Sequence, residues 1–599
     1  MRRPYASYKL KLIPFPSYQA MSDERQFGRR SALLGGATGL AALLSYPALA
    51  QQSGNSGNGN SGGNGDGNGP PNQQAHSTIY LEKIGGYSAD VAYDEGGAEI
   101  IDYDAATEQA LVANAAAGAI DVLDISDPAN PTKVAAVDIA SQADWDAADE
   151  VTSVAVKDGL VAAGVANETK TDDGRIVIAD TGSFEVLSSA TVGPLPDSVA
   201  FTPDASTVVV ANEGEPSEDF ETVPEGSVSV VSLSDGGASL DVSTAGFGRF
   251  DGQEDELREQ GIRIFGPEES LTTSKNLEPE YVTITPDGSE AWVAVQEANA
   301  FAVVDIESST VTDLYPLGFK DHMLPGNGFD ASNEDGGVNI RNWPTKGIYN
   351  PDGIDTYNVG EETFIVSANE GDGRDFDAYS EETEVSELDL DPDAFDLDQI
   401  TGIETVEGLQ SENNLGPLLT TTANGDIDGD GQHEEIYSLG ARSFSIWNTE
   451  GDIVFDSGNE FERITAQRYP ENFNNDNDES DPDGRSDNKG PEPEGVTTGR
   501  IASSAYAFIT FERMSGVIVY DITVPENAEF VQYLNPRDFS VDIEADIIEG
   551  DSPADAAGDV GTEDIAFIPM ADSPVETPLV LTANEASGTT GVFQVDLIN

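Results

Sequence analysis

Carboxylates recur at two fixed places in a repeated phrase. Asp197, Glu280, Asp352 and Glu494 each follow a proline or a Leu-Pro pair and open an alternating apolar run, and Asp564 opens a similar run. Glu213, Glu297, Glu370, Glu512 and Glu585 each close a second apolar run, three of them directly after an asparagine (Asn212, Asn369, Asn584). About 16 to 22 residues separate the two acids of a pair, which suits a hairpin of two short strands with its turn. Strands of a hairpin run antiparallel, so both acids belong at the same end of it. If the hairpins repeat around an axis, these carboxylates converge on one mouth of a channel. Like charges so close cannot all remain ionised and unpaired. They need Arg or Lys partners, or a hard cation with oxygen ligands such as calcium. Arg374, Arg513, Arg341, Arg442, Lys320 and Lys489 stand near in the chain. Two outcomes stay open: ion pairs that merely brace neighbouring units, or a face that holds metal or ligand.

A second acidic motif is more specific. Asp426, Asp428 and Asp430 occupy positions 1, 3 and 5 of a loop with Gly431 at 6, followed by Gln432 and Glu434. That spacing matches the start of a calcium loop, where glycine allows the sharp turn. Position 12 is Tyr437 instead of the bidentate Glu of an EF-hand, and Ile436-Tyr-Ser-Leu reads as a strand. A calcium loop on a β-hairpin is the expectation, against an acidic turn in an acidic protein.

Other chemistries find little support. The histidines are His76, His322 and His433, and no G-x-S-x-G, H-E-x-x-H or P-loop occurs. His322, in Gly318-Phe-Lys-Asp-His322, is a candidate base or ligand, or equally a structural loop histidine. There is no cysteine, which excludes disulfides, thiolate chemistry and Cys-ligated zinc.

The elements that must position these acids are hairpins. Leu277-Glu-Pro-Glu-Tyr-Val-Thr-Ile-Thr-Pro-Asp-Gly288 leads to Ala-Trp-Val-Ala-Val-Gln-Glu297 and then to Phe-Ala-Val-Val-Asp-Ile306. Alternation with turn dipeptides signals antiparallel strands, and a period of about 40–50 residues built from hairpins signals propeller blades. Weaker copies start near Glu99 and Asp149, and another, lacking the proline, surrounds Glu435 to Asp456. The fold expected is all-β: a β-propeller of seven or eight four-stranded blades. The run Ile79-Tyr80-Leu81 precedes the first full hairpin and is placed to close the ring as an outer strand, removing exposed edges. Acidic stretches at 375–414, 471–488 and 542–559 read as solvated loops or as a cover over a site.

The organisation expected is a leader over 1–50, a Gly/Asn/Ser-rich flexible linker over 51–77, and a propeller over 78–599. Arg29-Arg30 before the apolar stretch 32–44, with Ala48-Leu-Ala50 behind it, reads as a twin-arginine export leader that starts at Met21. An ordinary secretory leader is the alternative. After Gln51 nothing is apolar enough to cross a membrane as a helix. The chain carries 28 Lys+Arg against 111 Asp+Glu, a formal net charge of −83. Such a surface repels phosphate backbones, which excludes a general nucleic-acid binder. With 38% hydrophobic residues in regular alternation, the chain folds and does not remain disordered. Molar salt shortens the Debye length to about 3 Å, so the composition reads as halophilic and archaeal.

Several long phrases resemble the choice-of-anchor I family, which includes mesenchyme-specific cell surface glycoprotein-like proteins. They are Val-Ala-Asn-Glu-Gly-Glu-Pro-Ser217, Leu-Glu-Pro-Glu-Tyr281, Leu-Gly-Phe-Lys-Asp-His322 and Asn-Trp-Pro-Thr-Lys-Gly-Ile348. Ala-Asn-Glu-Gly-Asp372, Gly-Ala-Arg-Ser-Phe-Ser-Ile-Trp447, Lys-Gly-Pro-Glu-Pro-Glu-Gly495 and Ala-Asn-Glu-Ala-Ser-Gly588 follow in order. The resemblance implies a secreted propeller-like domain joined to varying C-terminal anchors, and no anchor segment is visible here. Some relatives are labelled alkaline phosphatase-like, and Gly-Pro-Glu-Pro-Glu-Gly495 is similar to a phrase of phytase-related propellers. Two functions follow. One is a calcium-dependent phosphoester hydrolase acting on a small phosphorylated substrate, with Glu370, Glu494, Arg374, Lys489 and His322 at work and calcium on the ring acids. The other is an extracellular or cell-surface binding module in which calcium is structural. The sequence leaves the oligomeric state open.

Overall fold

The structure is a computed structural model that describes residues 78–598, apart from 140–144, 146 and 479; the expected leader and linker lie outside the described residues. Seven four-stranded antiparallel sheets form seven blades. Their innermost strands are Ile101–Asp104, Ala148–Lys157, Pro196–Phe201, Val282–Ile284, Ile354–Val359, Pro493–Ile501 and Thr562–Ile568, for blades 1 to 7 in order. Each packs beside the next, and the seventh packs beside the first, so the ring is closed. The strand Thr78–Ser88 forms the outer edge of blade 7, pairing antiparallel with Thr589–Ile598 from Thr78↔Ile598 to Ser88↔Thr589. The two ends of the described chain therefore lock one blade together.

Blade sequences follow from where each strand sits. Second strands such as Thr207–Asn212 and Leu579–Asn584 are buried at every residue, because neighbouring blades cover both faces. They read accordingly as nearly continuous apolar runs. Outer strands such as Thr132–Val137 are mostly exposed. Between blades 3 and 4 the core is Val209, Val228, Val293 and Ala302, and between blades 5 and 6 it is Phe364, Phe444, Ile509 and Tyr520. Burial of this apolar area, at roughly 25 cal/mol per Å², holds a ring that has no disulfide to help it.

The phrase around Glu435 to Asp456 is not a blade of its own. Ser443–Asn448 and Ile453–Asp456 are the two outer strands of blade 5, separated from the inner pair by residues 370–442. This insertion and the segment before blade 5 build a five-stranded sheet: Phe319–Asp321, Thr345–Ile348, Ile436–Ser438, Leu419–Thr421 and Glu382–Glu384. Its own core contains Phe329, Trp343, Leu388, Leu409 and Leu418. The acidic stretch 375–414 is thus a folded lobe with buried leucines, and only its outer face is solvated.

Candidate carboxylate-lined channel

The ring acids are aimed by one backbone device repeated in every blade. In blade 3 the pairing runs Pro196↔Asn212 and then Ser198↔Ala211, so Asp197 is an extra residue in the inner strand. Pro493↔Phe511 to Val496↔Ile509 and Thr562↔Asn584 to Ile565↔Thr582 show the same break in blades 6 and 7, as does Ala148↔Asn167 in blade 2. In blades 1, 4 and 5 the hydrogen bonds reveal it. Glu280 N–H donates to the Ala294 carbonyl while Ala294 N–H donates to that of Tyr281; Asp352, Ala368 and Gly353 repeat this, as do Glu99, Ala113 and Ile100. Two residues facing one is a β-bulge, which bends the strand and re-aims a side chain. Here it turns an acid inward at the end where the second strand delivers its own.

The acids do meet. Burial, and then Asp197, Glu215, Glu278 and Glu297, push Glu213 well above the usual carboxylate range. Burial, with Glu297 and Glu213, does the same to Glu280, and burial with Glu370, Asp352, Glu563 and Glu512 does so to Glu494. Asp352 is pushed up to about 8 and Asp197 to about 7, each by burial first and neighbouring carboxylates second. Glu585 is raised chiefly by burial. The Oε2 atoms of Glu280, Glu297 and Glu494 are buried away from any N–H or hydroxyl donor; Glu280 hydrogen-bonds Glu297, and Asp352 hydrogen-bonds Glu494. Acids paired only with one another fit a hard cation, whose six to eight ligands are all oxygens.

Lys157 and Lys170 line the axial cavity, where Lys170 partly offsets the burial of Asp197 and Glu215; direct ion pairs with the ring acids stand in another sector. Lys489 Nζ lies 2.9 Å from Glu370 Oε1, and Arg513 lies 3.0 Å from Glu492 and 3.2 Å from Glu512. Burial opposes ionisation of Glu492, but Arg485, Lys489 and Arg513 together hold it down at about 2. Glu370, Glu492 and Glu512 offer oxygens within 4.8 Å of one another, and here Lys and Arg already supply the countercharge. Arg374 is embedded in a wall: it donates to the Phe265 carbonyl (3.0 Å), the Asn276 carbonyl (2.7 Å) and Glu278 (2.5 Å).

His322 is in the inserted lobe, where its Nδ1 meets the Asn327 carbonyl at 2.6 Å and its ring packs on Phe329. Burial, with Lys320 and Arg442, lowers it to about 3, so it is neutral at ordinary pH. None of its hydrogen-bond or ring partners is a channel acid. Lys320 pairs with Asp456 and Arg442 with Glu462, tying the lobe to blade 5.

Along the axis runs a cavity of about 790 Å³, with Glu99, Glu150, Asp197, Asp352, Glu563 and Glu585 in its wall. Inward of them the wall turns apolar at Val154, Val199, Val282, Ile354, Val496 and Ile565. Two acids of this region, Glu492 and Glu563, lie outside the positions the repeat assigns from sequence. Glu563 occupies the place that Glu494 occupies in blade 6, whereas Asp564 accepts from Ile101 N–H at 2.9 Å and from Tyr281 Oη at 3.4 Å. The signal is Thr562, standing where blades 3 to 6 have proline. Glycine sets the spacing of these inner strands. A Cβ at Gly495 would come 2.5 Å from the Glu563 carbonyl. Gly495→Ala is expected to force blades 6 and 7 apart and cost about 1–3 kcal/mol, measurable as a lower denaturant midpoint; an unchanged midpoint would contradict the close fit.

The acidic loop gathers only part of its motif. Oxygens of Asp426, Asp428 and Glu434 lie within 4.8 Å of one another. Asp430 instead accepts from Gln432 N–H, and Gln432 donates to Asp389 at 3.2 Å. Gly429 and Gly431 have φ of 77° and 95°, the left-handed turn that glycine takes without strain.

Among proteins of known identity, Gigasin-3a from Magallana gigas is 28% identical over 200 residues, covering 32% of this chain and 68% of the relative. Mesenchyme-specific cell surface glycoprotein from Strongylocentrotus purpuratus is 23% identical over 279 residues, covering 42% of this chain and 35% of the relative. The chain thus spans about a third of that glycoprotein's length. Among solved structures, Kuenenia stuttgartiensis hydrazine synthase superimposes with a TM-score of 0.40 at 13% identity, over 84% of this chain and 97% of that one. Residues 99–525 match the choice-of-anchor I domain, and the chain belongs to that family.

Proposed function

We infer that the protein is an exported, calcium-binding recognition module of the halophilic cell surface or its surroundings, with calcium held by the channel acids. The observation that carries this reading is acid paired with acid at the mouth, Glu280 with Glu297 and Asp352 with Glu494, where no N–H or hydroxyl donor reaches the Glu280, Glu297 or Glu494 Oε2 atoms. A bound cation replaces the shared protons and leaves coordination positions for an acidic group of a surface ligand. The similarity to a cell-surface glycoprotein supports the setting. The twin-arginine leader supplies export, and the loop of Asp426, Asp428 and Glu434 holds a separate, structural ion.

A second reading, phosphoester hydrolysis, draws on the sector where Lys489 and Arg513 stand among Glu370, Glu492 and Glu512. In it Glu370 and Glu494 hold the metal and Lys489 meets the phosphoryl group, with Arg374 fixing the adjoining wall. The bound metal would polarise the phosphoryl oxygen and acidify a water.

One titration separates these readings. Metal-free protein in molar salt should bind calcium calorimetrically. Glu494→Gln with Glu563→Gln should remove the channel ions, and Asp428→Asn the loop ion alone. No calcium binding to the wild type would overturn the proposal. Calcium-dependent turnover of a phosphomonoester, diester or phytate that is lost in Glu494→Gln would establish the second reading instead.

A further inference from the structure

Away from the channel, where the inserted lobe meets the stretch that leads into blade 6, three buried oxygens have no donor. They are Asp330 Oδ1, Asp335 Oδ1 and Asn474 Oδ1. Asp330 and Asp335 stand on the lobe, between the strands Phe319–Asp321 and Thr345–Ile348, and Asn474 follows the helix Glu460–Arg468. Bridging residues tie them together. Asn339 donates from its backbone N–H to Asp330 Oδ2 and from its Nδ2 to Asp335 Oδ2 at 2.6 Å. Glu462, on the helix, accepts from Asp330 N–H at 2.8 Å and from Asn474 Nδ2 at 3.4 Å. Asn474 Nδ2 also donates to Ser486 Oγ at 2.9 Å, and that hydroxyl donates to Asp483 at 2.6 Å. Burial, and then Glu462, Asp483 and Asp335, push Asp330 up to about 8. Asp483 is raised by burial first, with Asp335 and Glu462 adding to it. These acids therefore face one another.

The observation that points to a ligand is the amide. Asn474 is 0% exposed. Its Nδ2 is turned to Ser486 and Glu462, and the reversed amide would set an oxygen against the Glu462 carboxylate, so the orientation is fixed. Oδ1 then faces the other way with nothing to accept from. Asp330 is likewise 0% exposed, so neither oxygen reaches solvent, and a buried acceptor left unpaired costs the desolvation of that group. Arg442 is the cation close by, and its guanidinium is taken up by Glu462 at 2.6 Å and by the carbonyls of Asp330, Ser486 and Asn488. Among the described residues no lysine or arginine forms an ion pair with Asp330, Asp335 or Asp483.

We propose that this junction binds a divalent cation of the calcium class, held by Asp330, Asp335 and the Asn474 amide oxygen, which pins the lobe to the chain entering blade 6. Calcium takes carboxylate, amide and water oxygens together. A buried water has two hydrogens to offer three oxygens, and leaves one of them orphaned. The carboxylates alone do not gather three oxygens within 4.8 Å, as those of the mouth and of the acidic loop do. Asp335 is carried on an exposed turn with Gly336 and Gly337, at φ of 93° and 130°, which gives the ion freedom to draw it in.

The full chain, made metal-free in molar salt, is titrated with calcium chloride by calorimetry while hydrogen exchange is followed by mass spectrometry. Calcium should slow exchange in segments 328–341 and 472–478 at least tenfold. Asp335→Asn, on the half-buried turn, should abolish that protection and lower the stoichiometry by one ion. Asp330→Asn should do the same without lowering the denaturant midpoint measured in chelator, because asparagine keeps an acceptor for Asn339 and removes a crowded acid. A residue that merely braced the lobe would lower that midpoint. Glu494→Gln with Glu563→Gln, in the channel, should leave the protection intact. Protection that persists in both junction variants would overturn this site. A wild type that binds its channel ions but gains no protection would show a buried water at the junction, and would overturn this site alone. Protection in the wild type with no ion lost from Glu494→Gln with Glu563→Gln would support this site and overturn the channel reading.

Discussion

Metal-free protein in molar salt should become more stable as the pH falls from about 8.5 to about 5.5, and calcium should flatten that dependence. Glu99, Asp352 and Glu512 are pushed up to about 8 in the folded protein and Asp197 to about 7, burial being the largest cause in each case. In the unfolded chain such groups titrate near 4. Between about pH 4 and pH 8 the native state thus holds protons that the unfolded state has released. Their contribution is complete below the unfolded pKa and is lost as the pH rises through the folded one. Each extra proton held contributes about 1.4 kcal/mol per pH unit. Two groups act in the opposite sense at the acid end. His322, lowered to about 3, costs stability once the pH falls below about 6.5, and Glu492, held at about 2, does so below about 4.5. The optimum without metal should therefore lie at about pH 5 to 6. Calcium replaces the bound protons as countercharge, so the alkaline limb should rise on its addition. Denaturant melts across pH, with chelator and with calcium, measure both limbs. A metal-free stability that rises steadily toward pH 8.5 would show that these acids are paired in some other way.

Salt enters the same balance. The net charge of −83 is spread over the whole chain, while the channel acids are concentrated and buried, where mobile ions screen poorly. Molar salt therefore relieves the surface and leaves the channel to protons or bound metal.

The hairpin phrase made the architecture legible because it reports a local event. Proline or its substitute starts the inner strand, and the buried asparagine ends the second, with Asn212 directly opposite Pro196. That pairing is what placed both acids of a blade at one end. The closing strand was legible for a similar reason, since Ile79 and Leu81 are buried while Tyr80 between them is exposed. Two features escaped because they depend on contacts far apart in the chain. The bulge moves the inward position by one residue, so that Glu563 stands in blade 7 where Glu494 stands in blade 6, and alternation alone does not register the shift. The insertion splits blade 5, and its outer strands then read as a separate unit. Proximity in sequence likewise put Arg374 beside Glu370, whereas the fold sends its guanidinium to Glu278, 96 residues earlier.

Replacement of that arginine should have the largest single effect on stability. Arg374 is 1% exposed, with its guanidinium stacked over Phe265 at 4.8 Å and bonded to two carbonyls and Glu278. Arg374→Met keeps the length and much of the packing but strands Glu278, itself 2% exposed, beside Glu297 and Glu215. Breaking a buried pair from one side costs about 3–5 kcal/mol, here because Glu278, which burial already pushes up to about 8, must take a proton and lose its donors. Arg374→Lys retains the charge and loses the fork that reaches Asn276 and Phe265 together, so it should fall between. Adding Glu278→Gln to Arg374→Met removes the stranded charge and should recover a substantial part of the loss. The cycle of single and double variants, measured by denaturant unfolding in molar salt with calcium, isolates the pair. If Arg374 served chiefly to grip a ligand, the single variant would fold as well as the wild type and the second substitution would recover nothing. A loss below about 1 kcal/mol for Arg374→Met would therefore take the residue out of the structural wall and place its guanidinium at a ligand.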